Sequence, residues 1–164
     1  MTLKKENNAR ILVVDDDRQL ADMLVEYLVR LGYEAAAAYG GREGLARFEQ
    51  DDFKLVILDL KMPDMGGMEV LEAIKSIDHR AVVMVLSGFG TIESAVTAIK
   101  KGAYDFIPKP VELNVLGTML ARALSKHSLS RQLERFRGLI FVLVVSFPLW
   151  LILGIILANQ FWKE

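Results

Sequence analysis

Six polar residues stand at the ends of short apolar runs, where their side chains could act together on a phosphoryl group. They are Asp15, Asp16, Asp17, Asp59, Ser87 and Lys109. Clustered carboxylates repel one another and raise each other's pKa unless a cation joins them. Oxygen ligands without a neighbouring histidine or cysteine favour Mg2+. A carboxylate beside such an ion can attack phosphorus, and a nearby ammonium can neutralise the group in transfer.

Taken singly, several of these residues have a simpler structural interpretation. Asp17 fits the N-cap or first turn of the helix that follows it. Ser87 precedes Gly88 and could belong to a turn, and Lys109 stands between two prolines in what could be a solvated loop. Their joint occurrence at strand ends favours the chemical interpretation.

Alternating strand-like and helical segments position these residues. Apolar runs predict strands at 11–15, 33–39, 54–59, 81–87 and 103–109, and helical spacing predicts helices at 18–31, 41–51, 68–77, 91–101 and from about 112 onward. Thr91 can cap the fourth helix, and Gly32 and Gly102 can end the first and fourth. This alternation predicts an α/β fold with a parallel sheet covered on both faces, whose strand order the pattern leaves open. Ligands of such sheets bind outside the carboxyl ends of the strands, where the polar residues stand.

Composition describes one globular domain followed by a strongly apolar segment. The 164 residues are 52% hydrophobic with a mean hydropathy of +0.29, and the excess lies in 138–158. The chain has no cysteine, which excludes disulfide scaffolds, thiol catalysis and cysteine-ligated zinc. The net charge of −1 combines an acidic part, 1–121, with a basic stretch, 122–137.

Four stretches of the sequence carry a specific resemblance. They are VVDDD at 13–17, LDLKMPDM at 58–65, LSGFG at 86–90 and GAYDFIPKP at 102–110. With these spacings, residues 9–125 resemble a response-regulator receiver domain of two-component signalling. The fourth and fifth strands are most similar to receivers of nitrogen-regulation-type transcriptional activators.

The resemblance implies a flavodoxin-like, doubly wound sheet of five parallel strands with five helices. It also implies that Asp59 is the phosphoacceptor, and that Lys109 pairs with the phosphoryl group and is joined to Pro110 by a cis bond. Magnesium would be held by oxygens of Asp15, Asp16, Asp59 and the Lys61 carbonyl. Ser87 and Phe106 would be the hydroxyl and the aromatic ring that respond to phosphorylation. The family's usual Met-Asp-Gly is Met65-Gly66-Gly67 in this chain, a departure that removes no metal ligand.

The segment after the receiver predicts a membrane anchor. Residues 126–137 form a basic juxtamembrane helix or linker, 138–158 are uncharged, and 159–164 form a short tail. As a helix, 138–158 would span about 31 Å, which matches a bilayer core of about 30 Å. The basic stretch predicts contact with membrane lipid. Its position before the apolar segment predicts a single-pass protein of the cell membrane with its receiver on the cytoplasmic side. The polar N-terminal tail, 1–8, does not resemble a signal peptide.

These features predict a membrane-anchored receiver that accepts a phosphoryl group from a histidine kinase or phosphotransfer protein. We expect it to catalyse its own phosphorylation and dephosphorylation without being a turnover enzyme. A homodimer could form through the fourth and fifth helices or through the membrane helix. No helix-turn-helix or Walker loop follows residue 137, and no nucleic-acid partner is expected.

Two alternatives belong to other functional classes. One is a membrane-bound interaction module that binds partners without being phosphorylated. The other is an aspartate-nucleophile phosphohydrolase, although such enzymes place a second acid two residues after the nucleophile, where this chain has Lys61.

Overall fold

The computed structural model describes residues 9–88 and 91–125. Five strands alternate with helices along this part of the chain. The strands are β1 (Arg10–Val14), β2 (Glu34–Ala38), β3 (Leu55–Asp59), β4 (Val82–Ser87) and β5 (Asp105–Pro108). The helices are α1 (Arg18–Arg30), α2 (Gly41–Gln50), α3 (Gly67–Ile77) and α4 (Ile92–Lys100). Residues 113–125 are also helical and are called α5.

All strands of this sheet are parallel, in the order β2-β1-β3-β4-β5. The order reverses at β1, because β2 lies on one side of it and β3 on the other. In a doubly wound sheet this reversal opens a crevice at the carboxyl ends of the two strands. The crevice therefore lies where Asp15 follows β1 and Asp59 ends β3.

Two apolar clusters cover the two faces of the sheet, because successive strand side chains point to opposite faces. Ile11 and Val13 of β1 belong to the cluster beneath α1 and α5. Leu12 and Val14 belong to the cluster beneath α2, α3 and α4. The central strands are buried throughout, which explains their continuous apolar sequence.

A tyrosine of α1 joins that helix to α5. The Tyr27 hydroxyl donates a hydrogen bond of 2.6 Å to the Leu113 carbonyl oxygen. One turn further along α5, a Cβ on Gly117 would lie 2.7 Å from the same hydroxyl. The absence of a side chain at Gly117 therefore lets the phenol lie against α5.

A lysine joins α3 to the start of β4, at the edge of the sheet formed by the amino ends of the strands and opposite the crevice. Lys75 Nζ donates hydrogen bonds to the carbonyl oxygens of His79, at 3.0 Å, and Ala81, at 2.7 Å. Burial lowers the pKa of Lys75, and the charge of Asp78 opposes this only in part. This ammonium thus has backbone carbonyls as its hydrogen-bond partners.

The predicted elements agree with the observed ones to within about two residues at most ends. Thr91 caps α4 by accepting from the Ser94 N–H at 3.1 Å, as predicted. Gly32 and Gly102, with φ of 87° and 97°, follow α1 and α4 in the left-handed conformation. The predicted N-terminal tail (1–8), basic stretch (126–137), membrane span (138–158) and tail (159–164) lie outside the described residues. Within residues 9–88 and 91–125, no helix combines the length and the hydropathy that a bilayer crossing requires.

Candidate functional site

The three consecutive acids after β1 have different environments. Asp15 is fully buried, and its Oδ1 accepts a hydrogen bond of 3.0 Å from the Asp17 N–H. Asp16 is exposed. Asp17 is the N-cap of α1, as predicted, because its Oδ1 accepts from the N–H groups of Gln19 and Leu20. Asp15 and Asp16 therefore remain for the site, while Asp17 serves the helix.

Asp59 is the last residue of β3, and the loop that follows β3 donates a hydrogen bond to its carboxylate. It is 3% exposed, and its Oδ2 accepts a hydrogen bond of 2.6 Å from the Lys61 N–H. Gly67 lies against the same strand end, where an added Cβ would come within 2.0 Å of the Asp59 carbonyl oxygen. Close packing of this glycine holds the start of α3 against the backbone at the end of β3.

Lys109 joins the two strand ends. Its Nζ lies 2.7 Å from Asp15 Oδ2 and 2.7 Å from Asp59 Oδ1, and its side chain is 22% exposed. Burial lowers the pKa of Lys109, but its hydrogen bonds to the two carboxylates outweigh burial, so the pKa lies above its usual value. The Lys109 N–H also donates to the Ser87 carbonyl oxygen at 2.9 Å. The bond from Lys109 to Pro110 is cis, as expected.

Carboxylate oxygens of Asp15, Asp16 and Asp59 lie within 4.8 Å of one another. Burial raises the pKa of Asp15, and hydrogen bonds from Lys109 and Asp17 offset this only in part. With all three carboxylates ionised and Lys109 as the ammonium, the cluster has a formal charge of −2. This charge and the all-oxygen donor set suit a divalent hard cation such as Mg2+.

Ser87 and Phe106 lie on the neighbouring strands β4 and β5. Ser87 ends β4 and is 3% exposed. Phe106 is half-buried, packs against the cluster beneath α2, α3 and α4, and is paired in register with Val85. Strand alternation therefore directs the Ser87 and Phe106 side chains to the same face of the sheet.

Sequence reasoning missed one residue that organises the rim of the site. Asp64, in the loop after β3, accepts hydrogen bonds of 3.0 Å from the N–H groups of both Gly41 and Arg42 at the start of α2. These two bonds, led by the one from Arg42, lower the pKa of Asp64. The sequence signal was indirect: Gly40 and Gly41 begin a helix without a capping side chain.

The departure at Gly66 also has a structural consequence. Gly66 is the N-cap of α3 and offers no side chain to accept from that helix. The Glu69 carboxylate accepts from the Gly66 N–H at 3.3 Å, which is one half of a capping box. The β3–α3 loop therefore lacks the cap that an aspartate at 66 would supply.

Comparison with known proteins identifies the family. The response regulator receiver domain family matches residues 11–121. The transcriptional regulatory protein ZraR of Salmonella typhimurium is 36% identical over 115 residues, which cover 70% of this chain and 26% of ZraR. The DNA-binding transcriptional regulator NtrC of Azospirillum brasilense is 36% identical over 121 residues, covering 73% of this chain and 25% of NtrC. The chain belongs to the response regulator receiver domain family of two-component signalling.

Solved structures agree with this assignment. A CheY-like receiver domain from Methanospirillum hungatei has a TM-score of 0.72 and 33% identity, covering 74% of this chain and 98% of that structure. NtrX from Brucella abortus has a TM-score of 0.74 and 36% identity, covering 79% of this chain and 30% of that structure. The expected similarity to receivers of the nitrogen-regulation type is confirmed. The chain spans about a quarter of the length of the two curated relatives named above.

Proposed function

We propose that this chain is a phosphorylation-dependent switch that accepts a phosphoryl group on Asp59 from a histidine kinase or phosphotransfer protein. One observation carries the proposal: Lys109 bonds both Asp15 and Asp59 in the crevice where the sheet order reverses, with Asp16 alongside. This arrangement combines a nucleophilic carboxylate, a cation-binding set and an ammonium within one site. The switch acts by changing its own covalent state and is not a turnover enzyme.

Asp59 acts as the nucleophile. One of its carboxylate oxygens forms a bond to phosphorus while the bond from phosphorus to the donor breaks, and the donor group leaves with the electron pair. Lys109 Nζ, already 2.7 Å from Asp59 Oδ1, turns to an oxygen of the incoming phosphoryl group. The Lys61 N–H holds the second carboxylate oxygen, so the nucleophile is oriented before the donor arrives.

Oxygens of Asp15, Asp16, Asp59 and the Lys61 carbonyl hold the magnesium ion in this proposal. Bound there, Mg2+ supplies positive charge against the phosphoryl oxygens in transfer. Asp16 is exposed, so its carboxylate is accessible to a donor from solvent, whereas Asp15 is fully buried.

Ser87 and Phe106 convert phosphorylation into a surface change. The Ser87 hydroxyl donates to a phosphoryl oxygen, and Phe106 turns inward as Ser87 moves. The hydrogen bond from the Lys109 N–H to the Ser87 carbonyl supports this proposal, because it couples the strand ends that carry the hydroxyl and the ammonium. The altered surface lies around α4, β5 and α5.

A homodimer through α4 and α5 is part of the proposal, with pairing through the membrane segment as the alternative. Ile92, Val96 and Ile99 of α4 are 86%, 46% and 47% exposed, and their spacing places them on one face of the helix. An exposed apolar stripe of this kind supports a protein contact there.

Residues 126–137 and 138–158 anchor the receiver to the cytoplasmic side of the cell membrane in this proposal. The support comes from sequence: a basic stretch precedes 21 uncharged residues. Extraction from membranes tests the anchor. Detergent should release the chain, whereas high salt and carbonate should not; release by carbonate alone would contradict an integral anchor.

Phosphorylation tests the central claim. The full chain, incubated with acetyl phosphate and Mg2+, should become labelled, and Asp59→Asn should abolish the label because it removes the nucleophile. Asp78→Asn is the matched control, since Asp78 lies at the opposite edge of the sheet, and it should label like the wild type. Equal labelling of the wild type and Asp59→Asn would refute the phosphoacceptor assignment.

A further inference from the structure

We infer that Asp64 is a positioning residue for phosphoryl transfer, which holds the metal-binding loop in place by fastening it to the start of α2. The inference rests on the proposed function, because it concerns the loop that carries Lys61. Asp64 itself is assigned no contact with the phosphoryl group or the ion.

The loop between β3 and α3 is fixed at its two ends. At one end the Lys61 N–H donates to Asp59, and the Leu60 N–H donates to the Leu86 carbonyl oxygen at 3.2 Å. At the other end the Gly67 N–H donates to the Leu60 carbonyl oxygen at 3.1 Å. These bonds leave the middle of the loop, including Asp64, to be held by other contacts.

Asp64 provides a hydrogen-bonded contact between the middle of the loop and a different helix. Its Oδ1 accepts a hydrogen bond from the Gly41 N–H and its Oδ2 accepts one from the Arg42 N–H. The start of α2 presents these N–H groups with no partner inside the helix and carries partial positive charge, so a carboxylate there is held by both effects.

Two glycines at the start of α2, its N-cap Gly40 and its first residue Gly41, make this contact possible. A Cβ on Gly41 would lie 2.5 Å from the Met65 carbonyl oxygen, and a Cβ on Gly40 would lie 2.9 Å from Asp64 Oδ2. The loop backbone therefore lies directly on the start of α2, and the Asp64 bonds are part of a close fit between the two segments.

Gly66 makes the loop depend on this contact. An aspartate or serine at the N-cap of α3 would tie the loop to its own helix, but Gly66 has no such side chain. The remaining bond, from the Gly66 N–H to Glu69, is long at 3.3 Å. The loop therefore depends more on Asp64, which joins it to the start of α2, than on a cap at the start of α3.

The test measures Mg2+ binding by isothermal titration calorimetry and the Mg2+ dependence of labelling by acetyl phosphate, both on the full chain in mild detergent. Asp64→Ala should raise the Mg2+ concentration at half-saturation about tenfold in both measurements, as loss of other partners that orient metal ligands does. The labelling rate at saturating Mg2+ should stay within about twofold of the wild type, because ion binding restores the loop. Amide hydrogen exchange should show lost protection at Gly41 and Arg42.

Three variants separate positioning from charge and from general destabilisation. Asp64→Asn keeps an oxygen that can accept from α2 and should raise half-saturation by no more than about threefold. Gly66→Ser in the Asp64→Ala background supplies a neutral cap for α3 and should recover most of the lost affinity. Within residues 9–88 and 91–125, its Cβ would meet only Glu69 Oε2, at 3.9 Å. Asp78→Ala, which removes a carboxylate that accepts from the Arg80 N–H at the opposite edge, should leave Mg2+ binding unchanged.

Wild-type affinity in Asp64→Ala would overturn the inference, as would equal losses in the Ala and Asn variants, which would indicate a charge effect. A similar loss in Asp78→Ala would also overturn it. Failure of the proposed function has a different signature: the wild type would bind no Mg2+, or Asp59→Asn would still be labelled.

Discussion

Two half-buried lysines stand at opposite edges of the same sheet and differ in what they bind. Lys109, at the carboxyl edge, lies 2.7 Å from each of two carboxylates, and its pKa is raised. Lys75, at the other edge, donates to two backbone carbonyls, and burial lowers its pKa. Burial acts on both in the same direction, so the partners decide the outcome.

This difference in partners indicates a structural role for the Lys75 ammonium and a chemical role for the Lys109 ammonium. The two carbonyl oxygens that accept from Lys75 bring no full charge, and they belong to the turn between α3 and β4. Carboxylates bring opposite charge to Lys109 in excess, so that edge can still take up a cation or a phosphoryl group. Exchanging each lysine for an uncharged side chain of similar length should therefore have different effects.

The largest expected effect is on phosphoryl transfer. Lys109→Met should slow labelling by acetyl phosphate about 100-fold or more, because it removes the ammonium that faces the transferring group. Lys75→Met should label within about twofold of the wild type, since Lys75 lies at the opposite edge and donates to the carbonyls of His79 and Ala81. Initial labelling rates at saturating Mg2+ measure both. An equal slowing in the two variants would remove the distinction between the edges.

The next effect is on stability and its dependence on metal. Without Mg2+, Lys109→Met should lower the free energy of unfolding by about 3 kcal/mol, because buried Asp15 and Asp59 lose their cationic partner. Adding Mg2+ should restore more than half of this loss, since the ion supplies the missing positive charge. Urea unfolding of the full chain in detergent, with EDTA or with Mg2+, gives these values. A loss that Mg2+ does not reduce would count against a cation site at these carboxylates.

The smallest effect belongs to Lys75. Lys75→Met should lower the free energy of unfolding by about 1 kcal/mol, because the carbonyls of His79 and Ala81 lose their donor. The loss should be the same in EDTA and in Mg2+. The same urea titrations supply the measurement, and a clear Mg2+ dependence would show that the two edges are coupled.

The sequence predicted those parts of the molecule that depend on neighbouring residues. Asp17 as a helix cap and Asp59 and Ser87 at strand ends follow from local spacing, and the structure confirms these positions. Residue types alone suggested a magnesium site, whereas the individual ligands and the switch roles came from the resemblance. These roles stay predictions, although the structure brings Asp15, Asp16, Asp59 and Lys109 together.

Features that depend on packing between distant segments could not be predicted in this way. The alanine-rich β2 lies beside β1, an order that the hydrophobic pattern left open. Asp64 finds its partners more than twenty residues earlier in the chain, at the start of a helix. Lys75 falls within the predicted helix 68–77, and nothing in the local pattern distinguishes it. Its carbonyl partners become available only when α3 is joined to β4 by a tight turn.

The two adjacent glycines of the β3–α3 loop should respond oppositely to mutation. At Gly67 any side chain would have to displace the backbone of the phosphoacceptor candidate, since its Cβ would lie 2.0 Å from the Asp59 carbonyl oxygen. At Gly66 the backbone angles, φ −63° and ψ 141°, suit every amino acid, and the nearest atom of the described residues would lie 3.9 Å from an added Cβ. Saturation mutagenesis should therefore find that position 67 tolerates no other residue, whereas position 66 tolerates most. Sequence variation among homologues should accumulate at position 66 and not at position 67.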